Sequence, residues 1–304
     1  MYSLSTCWNS DRHTDGHAML REIRDLGFAY AELSHGIRLS LVPGILDAVA
    51  AGVIRITTLH NFCPLPIGVT RAAPNVFKFT SLDRKERDNA LRHTLKTLEF
   101  AERVQAQLVV LHLGAIDMYD YTDKLLELAE AGKRETPKYQ KLCAEAEAKR
   151  EARKERHQEA AYELLRQIEE DARRRGLLLG VENREALEEI PFESDFQFFL
   201  HEFRGGPVRY WHDTGHAQIK ENLGFIQHAL HLESLADALA GFHIHDVVFP
   251  GRDHRPPGQG MIDFAGLRPY VRPEHIKVLE MSPSLTAEEV LAGANHIRSL
   301  WGDE

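Results

Sequence analysis

Six short apolar runs in this 304-residue sequence each end on a side chain that can bind a metal ion or move a proton. TTLHN supplies His60, VVLHLG supplies His112, and GVENRE supplies Glu182. YWHDTGH gives Asp213 with His216 three residues on, FHIHD gives His243 followed by His245 and Asp246, and VLEMSP gives Glu280. Glu182 and Glu280 follow LLLGV and IKVL, and an ionised carboxylate placed after such runs has to be paired or metal-bound. Asp213 equally suits the N-cap of a helix that follows its strand. A single histidine at a strand end is more often a hydrogen-bonded polar residue than a ligand. The argument therefore rests on the succession of six.

Spacing strengthens the second half of that set. Glu182 and Asp213 are 31 residues apart, Asp213 and His243 are 30, and His243 and Glu280 are 37. Each interval is close to one strand-plus-helix unit, so four consecutive strands would aim four ligands into one cavity. Three carboxylates and one imidazole form a mixed set suited to a divalent ion, with Mn2+ placed first and Mg2+, Co2+ or Zn2+ as alternatives. His243 and His245 share a face of a strand while Asp246 does not. His243 is chosen as the ligand because His245 lies nearer the solvent end. The loop VVFPGRDHRPPGQGMIDF adds Arg252 and His254 among prolines and glycines that constrain the backbone. Arg252 offers a rigid donor fork for a carboxylate, a phosphate or vicinal hydroxyls.

The elements that would carry these residues alternate throughout. Strands are expected at Tyr2–Thr6, Tyr30–Ser34, Ile54–Leu59, Leu108–Leu113, Leu177–Glu182, Val208–Asp213, Gly241–Asp246 and Ile276–Met281. Their centres are apolar at successive positions, as a strand buried on both faces of a parallel sheet requires. Helical patterns such as Arg84–Val104, Phe225–Ala240 and Ala287–Leu300 lie between them. Eight strand–helix units predict an α/β fold, a single (β/α)8 TIM-barrel domain over residues 1–304, with active residues at the C-terminal ends of the strands. No GxGxxG turn supports a two-domain dinucleotide-binding alternative. Asn61–Leu82, with Pro64, Pro66, Gly68 and Pro74, reads as a long functional loop. Residues 119–175 read as a helical insertion after strand four, either an extended solvated helix or a cover or subunit contact.

Hydrophobic residues make up 43% and charged residues 27%, which suits a globular protein with a large core. A net charge of −9 argues against a nucleic-acid partner, whose phosphates call for a basic surface. Cys7, Cys63 and Cys143 are widely separated and form no CxxC pair, so neither a disulfide framework nor a thiolate zinc site is expected. The polar N-terminus does not read as a signal peptide, and no run of 18 apolar residues would span a membrane. A cytoplasmic location is the expectation.

GVENRE, HDTGHA, FHIHDVV, PGRDHRPPGQGMIDF and VLEMSP together resemble the xylose isomerase-like TIM-barrel superfamily, which includes sugar isomerases, ketose 3-epimerases, inosose dehydratases and endonuclease IV. The motifs span Leu177–Pro283 and specify the superfamily without choosing one activity. The resemblance implies that Glu182, Asp213, His243 and Glu280 hold a single metal and that Glu182 and Glu280 act as paired acid and base. It also implies that His216 and Arg252 contact substrate; His60 and His112 have counterparts that face substrate in sugar-handling relatives, and His254 is expected to bind substrate with them. The implied activity is isomerisation or epimerisation of a ketose or sugar-derived polyol by proton abstraction next to a metal-bound carbonyl, through an enediolate. A dehydratase or lyase on the same chemistry is the near alternative. Endonuclease IV-like enzymes use histidines at the positions of His60, His112 and His254 to build a three-zinc phosphodiesterase cluster, and this chain has Arg252 where their loop has an aspartate. A carbohydrate is the expected partner, and relatives of this kind commonly pair into homo-oligomers.

Overall fold

Runs of Val, Leu and Ile with no polar interruption cannot face water on either side, so they pair edge to edge and close on themselves. In the computed structural model, which describes residues 1–303 except 70 and 74, they form β1 (Tyr2–Ser5), β2 (Tyr30–Leu33), β3 (Arg55–His60), β4 (Leu108–Leu111), β5 (Leu178–Glu182), β6 (Val208–Asp213), β7 (Leu239–Ile244) and β10 (Ile276–Leu279). These eight strands are parallel and close into a barrel in the ring order β1-β2-β3-β4-β5-β6-β7-β10. Between β7 and β10 the short strands β8 (Asp246–Val248) and β9 (Arg252–Arg255) pair antiparallel as a separate hairpin. The expected (β/α)8 barrel is therefore the observed fold. Pro74, counted in the loop reading, lies outside the described residues.

Every expected strand is present with its ends displaced by at most two residues. The largest correction is at the seventh, which runs Leu239–Ile244 rather than Gly241–Asp246. Asp246 has left the barrel because its carboxylate accepts from the backbone N–H groups of Val247, Gly258, Gly260 and Ile262 at 2.8–3.1 Å. It is the hub around which the loop after β9 folds. The helix expected over Phe225–Ala240 is shorter, His228–Leu235 with a 3-10 turn to Ala238, since Leu239 and Ala240 already belong to β7.

The barrel interior below the strand ends is filled by Leu108, Val110, Trp211, Ile276 and Val278. The indole of Trp211 fits because two of its neighbours are glycine. A Cβ at Gly241 would lie 2.5 Å from Trp211 Cζ3 and 2.4 Å from the Ile276 carbonyl oxygen, and one at Gly180 would lie 3.2 Å from Trp211 Cβ. Side chains alternate along a strand, so the residue two beyond each filler also points inward. Val110 is followed by His112, Gly180 by Glu182, Trp211 by Asp213, Gly241 by His243 and Val278 by Glu280. That alternation turns a hydrophobic floor into a polar mouth within one step.

Residues 119–175 form a helix over Tyr121–Glu130 and a 39-residue helix over Pro137–Arg175. Thr136 caps the long helix at its start, Pro137 occupies its first turn, and Gly176 ends it in the left-handed conformation at φ 68°. It is not solvated all round: Tyr139, Ala146, Arg150, His157, Ala161, Leu164, Ile168 and Ala172 form a buried stripe at helical spacing. Polar contacts pin the stripe to three other segments of the chain. Tyr139 donates to the Leu223 carbonyl at 2.8 Å, Arg150 pairs with Asp195 at 2.8 Å, and His157 Nδ1 lies 2.8 Å from the Thr80 carbonyl. The helix braces the loops around the mouth and contributes no lining residue to the cavity between the ligands. Asn61–Leu82 contains no helix or strand among the described residues.

Candidate metal centre

Glu182 sits at the end of β5 with 1% exposure, and its two oxygens are committed to different partners. Oε1 lies 2.6 Å from His243 Nδ1, and Oε2 is hydrogen-bonded to His112 Nε2. His243 Nδ1 is also 3.3 Å from Glu280 Oε2. One donor atom each from Glu182, Asp213, His243 and Glu280 falls within 4.8 Å of the other three, and all four residues are buried. Ligands about 2.0–2.2 Å from one ion are separated by less than this, so small side-chain adjustments would close the shell. The structure thus brings together the four residues that the spacing pointed to.

The electrostatics fit a cation. Burial alone pushes the His243 imidazole down, yet the carboxylates of Glu280, Glu32 and Glu182 raise it well above its ordinary value. Burial would raise Glu182, but His243 and His112 hold it well below the usual carboxylate range. Asp213 is likewise held low by His216 and His245 against burial, and His245 is raised to about 9, with Asp213 overcoming its desolvation. Three converging carboxylates therefore draw positive charge onto the imidazoles around them. A divalent ion supplies that charge more compactly, and the oxygen-rich donor set suits one.

Asp213 takes the N-cap role that its sequence position allowed, and its second oxygen faces the cluster. Oδ1 accepts from the His216 backbone N–H at 2.7 Å as the N-cap of the helix Thr214–Leu223, while Oδ2 faces His245 Nε2 at 3.1 Å. Gly215 leaves room for that imidazole, since a Cβ there would lie 2.0 Å from His245 Cε1. Asn183 locks the ends of β5 and β6 together: its Oδ1 accepts from Asp213 N at 2.7 Å and its Nδ2 donates to the Asp213 carbonyl at 3.0 Å.

His60, His112, His216 and His254 border a cavity of ≈ 260 Å³ together with Glu182 and Glu280. His60 Nε2 is 3.0 Å from His112 Nε2, and these two histidines with Glu182 form a second potential ligand group. His254 stacks on His245 with ring centroids 4.3 Å apart, and its Nδ1 lies 3.1 Å from the Glu280 carbonyl. Arg252 is the correction. It opens β9 beyond the Pro250–Gly251 turn, at the end of the hairpin remote from the barrel, and is exposed beside Asp123, Glu127 and Glu130. The guanidinium at the mouth is instead Arg184, two residues after Glu182 and 7% exposed.

Reading the sequence missed Arg184 and Glu32, and also His35, Glu185 and Asp253, which border the same cavity. Glu32, in β2, is fully buried beneath the cluster, where it accepts from Ser5 at 2.9 Å and Thr58 at 2.8 Å and meets His243 Nε2 at 3.0 Å. An acid inside the apolar run YAEL is the same signal that singled out Glu182 and Glu280.

The profile of the xylose isomerase-like TIM barrel matches residues 20–300. The chain belongs to that family. No curated protein matches this family member by sequence, whereas many solved structures share its fold. One is a putative xylose isomerase from Rhodospirillum rubrum, at 14% identity and a TM-score of 0.73, with 98% of each chain covered. Another is a D-tagatose 3-epimerase-like protein at 14% identity and a TM-score of 0.69, covering 98% of this chain and 96% of that one. A 3-keto-D-glucoside 4-epimerase from E. coli aligns at 15% identity and a TM-score of 0.67 over 98% of both chains. At these identities the similarity establishes this family's barrel and leaves its chemistry to the site. Among the described residues of this family member, no helix is long and apolar enough to cross a membrane.

Proposed function

We propose that this chain is a divalent-metal-dependent isomerase or epimerase of a ketose or sugar-derived polyol. The observation that carries the reading is the convergence of Glu182, Asp213, His243 and Glu280 within 4.8 Å at the mouth of the barrel. The names of the structural neighbours, which include epimerases of tagatose, psicose and ribulose, support the same class. A divalent ion held by the four residues would polarise an adjacent carbonyl and hydroxyl and stabilise negative charge on them.

The protein side of the chemistry follows from how unequally the two glutamates are engaged. Glu182 is tied to His112, His243 and Arg184, which fixes its position and its ionised state. Glu280 has His243 as its one ion-pair partner among the described residues, and it borders the cavity. Glu280 is therefore the carboxylate freer to take a proton from a substrate carbon onto Oε and to return it, with Glu182 facing the same carbon from the β5 side. His60, His112 and His216 line the same space and supply donors for hydroxyl oxygens.

A second reading is favoured by one observation, the intact group of His60, His112 and Glu182, which resembles part of a multi-zinc phosphodiesterase cluster. Metal analysis separates the two. About one tightly bound divalent ion per chain, with solvent-proton exchange into a ketose, supports the isomerase or epimerase. Two or three zinc ions with cleavage of abasic DNA would replace it with the phosphodiesterase.

A further inference from the structure

We propose that Arg184 is the residue that reads substrate in this mouth, and that it selects a sugar carrying an anionic oxygen group, a carboxylate or a phosphate. The proposal rests on the metal-dependent sugar chemistry above and gives it a substrate class.

Arg184 is held before any ligand arrives. Its Nε donates to Glu189 Oε1 at 3.0 Å, and Glu189 is itself fixed by Asn75 Nδ2 at 3.0 Å and the Ala186 N–H at 3.2 Å. Glu189 is 6% exposed, so this edge of the guanidinium is paired in a dry setting. The other edge is poorly served. Nη1 lies 3.5 Å from Glu182 Oε2, and 3.1 and 3.2 Å from the two ring nitrogens of His216. His216 Nδ1 donates to the Asn183 carbonyl at 3.1 Å, so only Nε2 is left to accept from Nη1, and the one charged partner of this edge is Glu182 at the 3.5 Å limit.

Charge then decides the ligand. Glu182 already serves His112 and His243, and its commitment to a bound cation would leave the Nη edge without a carboxylate. Arg184 keeps Glu189 on its Nε side, but buried Nη donors without a charged acceptor are costly, and an anionic oxygen pair satisfies that side of the planar fork better than neutral hydroxyls do. Glu185 and Asp253 also border the cavity, but both are partly exposed, so solvent weakens their repulsion of an anion relative to the pull of the buried Arg184. Arg252 lies outside this space and does not contribute.

The test uses the full chain loaded with Mn2+, whose uptake is measured first. Glucose, glucuronate and glucose 6-phosphate are titrated calorimetrically at constant ionic strength into wild type, Arg184→Lys, Arg184→Gln and Arg252→Gln. The expected result is that one anionic probe binds about tenfold or more tighter than glucose to wild type and to Arg252→Gln. Arg184→Gln erases that preference and Arg184→Lys reduces it, and the stronger anionic probe distinguishes carboxylate from phosphate. Equal binding of all three probes by wild type, no binding of any, or a preference that survives Arg184→Gln overturns the proposal. Should Arg184→Gln not fold, the wild-type comparison and Arg184→Lys decide, an undiminished preference in the lysine variant overturning it. Failure to take up Mn2+ is a separate result that removes the four-ligand centre and this proposal with it.

Discussion

Nε2 of His243 lies 3.0 Å from Oε2 of Glu32, inside the barrel and away from solvent. With the ring proton shared there, Nδ1 is left facing Glu182 and Glu280, as the nitrogen that would bind the proposed ion. A carboxylate behind a metal-binding histidine fixes its tautomer and orientation and raises its basicity. Glu32→Ala is therefore expected to weaken Mn2+ or Co2+ binding by about 10–100-fold, while Glu32→Gln, which keeps an acceptor, loses less. Competition against a chromophoric chelator gives the affinity, and the Co2+ absorption spectrum reports the geometry. Wild-type affinity in the alanine variant would show that Glu32 only fills space.

Glu280→Gln keeps the size of the side chain and one oxygen donor but removes the proton acceptor. The expected outcome is loss of deuterium exchange at the substrate carbon by roughly 10²–10⁴-fold, with a folded protein that still takes up metal. Exchange at the wild-type rate would exclude Glu280 as the proton carrier. Chelation of the wild type is expected to abolish exchange and to lower the unfolding midpoint together.

Acid should weaken the fold through a site that faces away from the metal centre. On the outer face of β6 the Tyr210 hydroxyl lies 2.7 Å from His212 Nδ1 and 2.9 Å from His231 Nε2, and His212 Nε2 lies 2.9 Å from His228 Nε2. Burial holds all three imidazoles below their ordinary value, His228 at about 4. The unfolded chain protonates His228 near 6.5 and the folded chain does not, so stability present above that pH is lost as the pH falls toward 4. The loss attributable to His228 is on the order of 3 kcal/mol. Urea unfolding of wild type and His228→Gln at pH 7 and pH 4 should show the variant losing less by about that amount. Parallel losses in the two proteins would refute the assignment.

Gly241→Ala places a methyl group 2.5 Å from Trp211 Cζ3 and 2.4 Å from the Ile276 carbonyl oxygen, so the surrounding barrel must shift. Overpacking of this kind costs about 1–3 kcal/mol or more, and here it also presses on the floor beneath His243. Thermal unfolding should show a lower midpoint, with a smaller loss in the double variant Gly241→Ala/Trp211→Phe. An unchanged midpoint in the single variant would mean that the barrel interior is looser than its packing indicates.

The barrel and the convergence of Glu182, Asp213, His243 and Glu280 were legible in the sequence because burial on both faces writes a strand as an unbroken apolar run. A carboxylate closing such a run then stands out. Glu32 carried the same mark in YAEL and was overlooked because no motif surrounds it. Arg184 carried none: its burial depends on Glu189 folding back five residues later and on Asn75 from a distant loop, relations with no periodicity. Arg252 was misplaced for the converse reason. It sits in a recognisable motif, but the pairing of Val248 with Arg252 sends it to the outer end of a hairpin, and His254, two residues on, returns to the mouth. The 39-residue helix showed its length in sequence but not its buried stripe, since charged residues such as Arg150 form part of that stripe.

That helix has a mechanical consequence. A rod roughly 58 Å long, at about 1.5 Å per residue, is pinned to the segments that carry Thr80, Asp195 and Leu223. Those three segments, far apart in sequence, are thereby bonded to one continuous helix. Among the described residues, the hairpin bearing His254 and the Ser282–Ser284 turn make no direct hydrogen bond or ion pair with that helix, and they border a second hollow that shares His35, Asp253, His254 and Glu280 with the cavity at the mouth. The two hollows therefore adjoin through those shared residues, on a part of the mouth that the long helix does not brace.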